Sequence, residues 1–97
     1  MALDDLAAQL REFAVERDWE HFHTPKNLAM AVAGEAGELL AELQWLTPEE
    51  SAQLSDERLA AVSAEMADVF IYLLRLSDVL GVDLLQAAQD KVAVNRR

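Results

Sequence analysis

Apolar residues return at every third or fourth position along nearly the whole chain, and little interrupts them, since the sequence holds only 3 Gly and 2 Pro. That spacing marks one face of an α-helix, and no alternating run competes as a strand. It predicts a first helix over about Leu3–Arg17, with Leu3, Leu6, Leu10, Phe13 and Ala14 as its core stripe. The stretch "RDWEHFHTPKN" then breaks the pattern. Thr24 and Pro25 form a cap and first-turn pair for a second helix reaching about Leu46. Thr47 and Pro48 repeat that signal and open a short helical connector. Ser55, followed by Asp56 and Glu57, starts the longest helix, which Gly81 stops after Leu80. Asp83 caps a last helix reaching about Val94. Four main helices on short connections predict an all-α, antiparallel four-helix bundle.

The length and the 53% hydrophobic content suit one domain spanning residues 1–97. The longest helix carries Leu59, Val62, Met66, Val69, Phe70, Leu73 and Leu80 on one face and Ile71 and Leu74 on another. A helix apolar on two faces needs burial by more than its own chain, which predicts a homo-oligomer.

Charge narrows the partners. With 18 acidic against 8 basic residues the net charge is -10, which disfavours an electrostatic grip on nucleic acid. A ligand that arrives with a metal cation remains compatible. Cysteine is absent, which removes disulfides, thiolate nucleophiles and zinc-thiolate sites and is consistent with a reducing compartment. The acidic "MALDDLAAQL" lacks the basic start of a signal peptide, and no apolar run reaches membrane-spanning length, so a soluble cytoplasmic protein is expected.

Four acids interrupt this apolar background. Glu35 and Glu38 share one face of the second helix, and Glu65 and Asp68 share one face of the longest, so the two pairs can oppose each other. Carboxylates gathered away from water repel and demand protons or cations. Hard oxygen donors without Cys or His on these faces favour Mg2+, with Mn2+ as a substitute. A lone E-x-x-E is usually a solvated face, but here the pair is duplicated within apolar helices, and Gly34 and Gly37 thin the backbone for close approach of another element. A di-iron bundle would want two E-x-x-H helices. Only Glu20 and His23 supply one, in the broken stretch before Pro25.

Other side chains lie near the acids. Trp45 and Asn27 share the angular position of Glu38, and Tyr72 follows Asp68 by one turn. Such aromatics can stack on a nucleobase, although core packing is the commoner role of a single Trp or Tyr at helical spacing. In an antiparallel hairpin Trp45 and Tyr72 extend in opposite directions from the acids, so one pocket using both needs two chains. Lys26, Lys91, Asn95, Arg96 and Arg97 are candidate phosphate partners, or helix-end charges on a solvated tail.

Taken together, "RDWEHFHTPKNLAMAVAGEAGELLAELQW", "EMADVFIYLLRL" and "KVAVNRR" resemble the MazG-like, all-α nucleotide pyrophosphohydrolases, and within them the dCTP pyrophosphatase-like branch. The resemblance implies hydrolysis of a deoxynucleoside triphosphate to monophosphate and pyrophosphate, with dCTP or a modified cytosine nucleotide as substrate and nucleotide-pool cleansing as the role. It implies Mg2+ held by Glu35, Glu38, Glu65 and Asp68, with a glutamate or the metal activating the attacking water. It places Trp19, His23, Trp45 and Tyr72 against the nucleoside, and Lys91 and Asn95 against phosphate and sugar. It also implies a homotetramer built as a dimer of dimers, or a homodimer, with sites shared between chains. Ala93 stands where close relatives carry an acid, no Arg-Tyr-Pro follows Arg97, and the loop between the second and third helices is short. These departures bear on base preference more than on the reaction. A different class of function, a non-catalytic helical interaction protein with an acidic docking surface, predicts metal-independent stability and no turnover.

Overall fold

The computed structural model describes residues 2–97 and is helical throughout, with helices α1 (Ala2–Glu16), α2 (Pro25–Leu43), α3 (Pro48–Ser51), α4 (Asp56–Leu80) and α5 (Leu84–Asn95). Local chemistry sets most of these ends. Side-chain oxygens of Thr24, Thr47, Ser55 and Asp83 each accept a hydrogen bond from a backbone N–H of the first turn that follows. At α3 the cap is reciprocal, because Glu50 accepts from the Thr47 N–H at 2.8 Å. Gly81, at φ 71°, ends α4 in the left-handed region, and the Val82 N–H donates back to the Ser77 carbonyl.

The second stop of this kind falls on Asp18. Its φ of 56° lets the Trp19 N–H reach the Ala14 carbonyl at 2.9 Å, closing α1 in the pattern usually finished by glycine. At α2 the helix ends at Leu43, three residues before the predicted Leu46. Leu46 instead closes a turn onto the Leu43 carbonyl, and Thr47, held extended before Pro48, begins the connector.

The main packing unit is α2 against α4, with α1 laid across α4. Arg58 at the start of α4 donates to the Glu42 carbonyl near the end of α2, and Glu65 further along α4 meets Glu35 further back on α2, so the pair is antiparallel. Leu28, Ala14, Val62 and Leu74 form the buried apolar core, Leu28 being 1% exposed. Core burial on α4 follows only part of the predicted stripe. Val62 and Leu74 are buried, whereas Leu59, Met66, Phe70, Leu73 and Leu80 remain open. Every described residue of α5 except half-buried Leu84 is exposed.

This leaves a broad shape. The radius of gyration is 15.7 Å, against about 12.5 Å for a compact chain of this length. The accessible surface is 7187 Å², against about 5,500 Å² for a folded monomer of this mass. Gly34 and Gly37 face open space, so among the described residues no other element makes the close approach expected there.

One electrostatic tie joins α1 to α4. Arg11 grips Asp78 with two hydrogen bonds, at 2.9 and 2.7 Å, and Arg75 adds a third at 3.1 Å. The Arg11 hydrogen bonds are the largest cause holding the Asp78 carboxyl below its ordinary value. Partial burial opposes them, and the charges of Arg11 and Arg75 reinforce them. A depressed carboxylate contributes stability in full above its unfolded-state value and loses it as pH falls through the folded-state value. Asp78→Ala is therefore expected to lower unfolding free energy by about 2 kcal/mol at neutral pH, because it strips nearly buried Arg75 of a partner. The loss should shrink as pH falls into the carboxylate range, as read by urea unfolding at several pH values.

Candidate active site

Glu35 on α2 and Glu65 and Asp68 on α4 place one carboxylate oxygen each within 4.8 Å of one another. The antiparallel pairing produces this, since Glu65 and Asp68 are one turn apart and both project toward the seam. Glu35 and Glu65 are half-buried there, and Asp68 is exposed. Glu38 lies outside the trio and is exposed, although its charge still reaches Glu65. Glu65 is pushed above the usual glutamate value, first by loss of water and then by repulsion from Asp68, Glu35, Glu38 and Glu42.

Glu42 is a fifth contributor that the sequence reading passed over. Its signal was available, because positions 35, 38 and 42 recur at helical spacing on one face. The donor set consists of hard oxygens closer together than their mutual repulsion favours. That chemistry fits a small divalent cation such as Mg2+.

Beside the acids lies a cleft of about 320 Å³ between α1, α4 and the loop joining α1 to α2. Trp19, His23 and Tyr72 all line it, so the broken stretch before α2 converges with the longest helix. Tyr72 follows Asp68 by one helical turn, which sets the cleft next to the carboxylates. Phe13 meets Trp19 edge-on at 5.3 Å between ring centres, and the Trp19 and His23 rings are 5.9 Å apart. The Arg17 guanidinium sits 4.6 Å over Phe13.

The Asp18 stop aims Trp19 back onto α1. A hydrogen bond from Asn27 to the Phe22 carbonyl, at 3.1 Å, anchors the other end of the loop to α2. Asn27 is thus occupied in holding the loop.

The remaining candidates stand elsewhere. Trp45 is 86% exposed beyond the end of α2 and does not line the cleft. Lys91 and Asn95 project from exposed α5, and Lys26, Arg96 and Arg97 are also in solvent. The cleft also takes in residues not read as site residues, among them Phe13, Leu10 and Ala14 of the core stripe, and Arg75. Arg75 had the same signal as the acids, a charge within the apolar run "IYLLRLSDVL".

Comparison with known proteins extends the reading. The chain superposes on the crystal structure of a pyrophosphatase from Archaeoglobus fulgidus with a TM-score of 0.93 and 39% identity, covering 100% of this chain and 91% of that one. It is 44% identical to dCTP pyrophosphatase 1 of Bos taurus and of Homo sapiens, over 98% of this chain. The chain belongs to the MazG-like all-α nucleotide pyrophosphohydrolase family, in its dCTP pyrophosphatase-like branch. It spans 57% of the length of those curated mammalian members. No family model matches it.

Among the described residues no helix is long and apolar enough to cross a membrane. The fold shared with that archaeal pyrophosphatase is built from helices, and here its acids meet at the seam between the two longest. Repulsion at that seam makes a direct test. Glu65→Gln is expected to raise the melting temperature in the presence of chelator, because it removes a half-buried charge that is short of water and repelled by its neighbours, with little change in side-chain size. Thermal unfolding of both proteins in chelator checks this.

Proposed function

We propose that residues 1–97 form one catalytic domain that hydrolyses a deoxynucleoside triphosphate to its monophosphate and pyrophosphate in a Mg2+-dependent reaction. The observation that carries this reading is the adjacency of the carboxylate trio to the aromatic cleft, one helical turn apart on α4. The names of the relatives add support, each being a pyrophosphatase or a dCTP pyrophosphatase.

Glu35, Glu65 and Asp68 hold Mg2+, and Glu38 joins them as a fourth carboxylate. Bound there, the ion supplies Lewis-acid polarisation of the phosphoryl oxygens and offsets the charge of acids and substrate. A glutamate of the group accepts the proton of a water molecule as its oxygen bonds to the α-phosphorus. The bond between that phosphorus and the oxygen bridging to the β-phosphate breaks, and pyrophosphate leaves with the bridging oxygen. Trp19, His23 and Tyr72 hold the nucleoside end in the cleft. The substrate is dCTP or a modified cytosine nucleotide, in the service of nucleotide-pool cleansing in the cytoplasm.

Trp45, Lys91 and Asn95 enter the site of a second chain, contacting base, phosphate and sugar respectively. The support for a shared site is physical. Their exposure and the open apolar face of α4 both call for a partner, and the surface exceeds that of a compact monomer. The assembly is a homotetramer, a dimer of dimers, with the homodimer as its building unit.

The test is pyrophosphate release from each of the four deoxynucleoside triphosphates, with Mg2+ or with chelator, using wild type and Glu38→Ala. Release from dCTP should exceed that from the others, stop with chelator and fall by about 100-fold or more in the variant. No release from any substrate, or full activity in Glu38→Ala, would overturn the assignment. Mg2+ should also raise the melting temperature of wild type more than that of Glu65→Gln, since an ion bound only by the folded state stabilises it by mass action.

A further inference from the structure

Arg75 is 7% exposed, an unusual place for a guanidinium on a helix of a small protein. Its Nε donates to His23 Nδ1 at 3.2 Å while its Nη1 donates to Asp78 Oδ2 at 3.1 Å. Asp78 is in turn held by both ends of the Arg11 fork. A guanidinium has donors and no acceptors, so a hydrogen bond from it requires a lone pair on Nδ1. The proton of the neutral ring must then reside on Nε2. That nitrogen has no hydrogen-bond partner among the described residues and is not a buried unpaired atom, so it is accessible to solvent, on a residue that lines the cleft.

We propose that Arg75 is a positioning residue that locks His23 in the Nε2–H tautomer, giving the cleft a fixed hydrogen-bond donor that selects bases presenting an acceptor to it. The selectivity half of this rests on the nucleotide-hydrolysing reading; the lock itself does not. A cytosine ring presents O2 and N3 as acceptors along one edge, whereas an unlocked imidazole could rotate its protons and serve as either donor or acceptor.

The charged and titratable groups near it on the surrounding elements include Arg11, Glu12 and Glu16 of α1, Lys26 of α2, and Tyr72, Arg75 and Asp78 of α4, with Arg17, Asp18, Glu20 and His21 in the histidine's own loop. Among the described residues Arg75 alone bonds the imidazole side chain. Loss of water, and then the Arg75 charge, keep His23 below its ordinary value, in agreement with a ring that stays neutral. Asp78, fixed by Arg11, holds the guanidinium in place. The lock is therefore supported from α1 as well as α4.

The sequence has two histidines, so His21→Asn leaves His23 as the single imidazole for 15N NMR. In that background Nδ1 should resonate as an unprotonated nitrogen and Nε2 as a protonated one, and both should stay so as pH falls through the ordinary histidine value of 6.5. Arg75→Met should mix the tautomers and raise the pH at which the ring charges, and Arg75→Lys should restore much of the wild-type spectrum. In kinetics, Arg75→Met should reduce the kcat/KM preference for the favoured base by about tenfold, the value of one well-placed hydrogen bond. That loss should fall on KM with kcat little changed, because the carboxylates are untouched.

A protonated or mixed Nδ1 in the protein with Arg75 intact overturns the lock, and this spectrum decides it even if Arg75→Met does not fold. An unchanged ranking of the four nucleotides in Arg75→Met or Arg75→Lys, with the tautomer altered, overturns its role in selectivity. A wild type that releases pyrophosphate from no nucleotide overturns the functional reading instead, and the spectrum still supports or overturns the lock.

Discussion

The seam between α2 and α4 is both the principal packing contact of the chain and the line along which its acids collect. Apolar burial must hold the two helices together against the repulsion of Glu35, Glu65 and Asp68, with Glu38 and Glu42 adding to the field. Burial of Leu28 and Val62 is short-ranged and indifferent to pH, whereas the repulsion depends on ionisation and is relieved by a cation. The stability of the scaffold and the occupancy of the site are therefore one balance. A chain that maximised stability alone would have no reason to keep these acids.

A second balance governs the cleft. Burying Arg75 is unfavourable unless its donors are engaged, and His23 and Asp78 engage two of them. Asp78 carries its own desolvation cost, offset by the fork of Arg11. The group spans α1, the loop and α4, so the residues facing the cleft are oriented by contacts outside it. That arrangement suits a recognition surface, in which the direction of a donor matters as much as its presence.

Helix positions and caps were legible in the sequence because they depend on neighbours within a few residues. Thr24–Pro25, Thr47–Pro48, Ser55, Gly81 and Asp83 each do in the structure what their chemistry predicts. The meeting of Glu35 with Glu65 and Asp68 followed from the same periodicity once the two helices were paired. The Arg11–Asp78 bond was not legible, because its partners lie 67 residues apart and no pattern within either helix announces the other. The stop at Asp18 escaped notice for a different reason. Aspartate there reads as a turn residue, and only the backbone angle reveals that it substitutes for glycine. Trp45 was expected within α2, but the helix ends at Leu43 and leaves it in solvent beyond, and periodicity cannot say what another molecule would bring to it.

The loop from Asp18 to Thr24 is pinned at both ends, by the helix stop before Trp19 and by Asn27 reaching back to the Phe22 carbonyl. It therefore behaves as a strut of set length. One residue inserted there would rotate either Trp19 or His23 away from its neighbour, and deletion would pull on the Thr24 cap. Surface loops ordinarily absorb such changes at little cost. In this chain the eight positions between α1 and α2 are as exacting in number as the helices are in register, and variation in length belongs instead near Gln53, an exposed residue between α3 and α4.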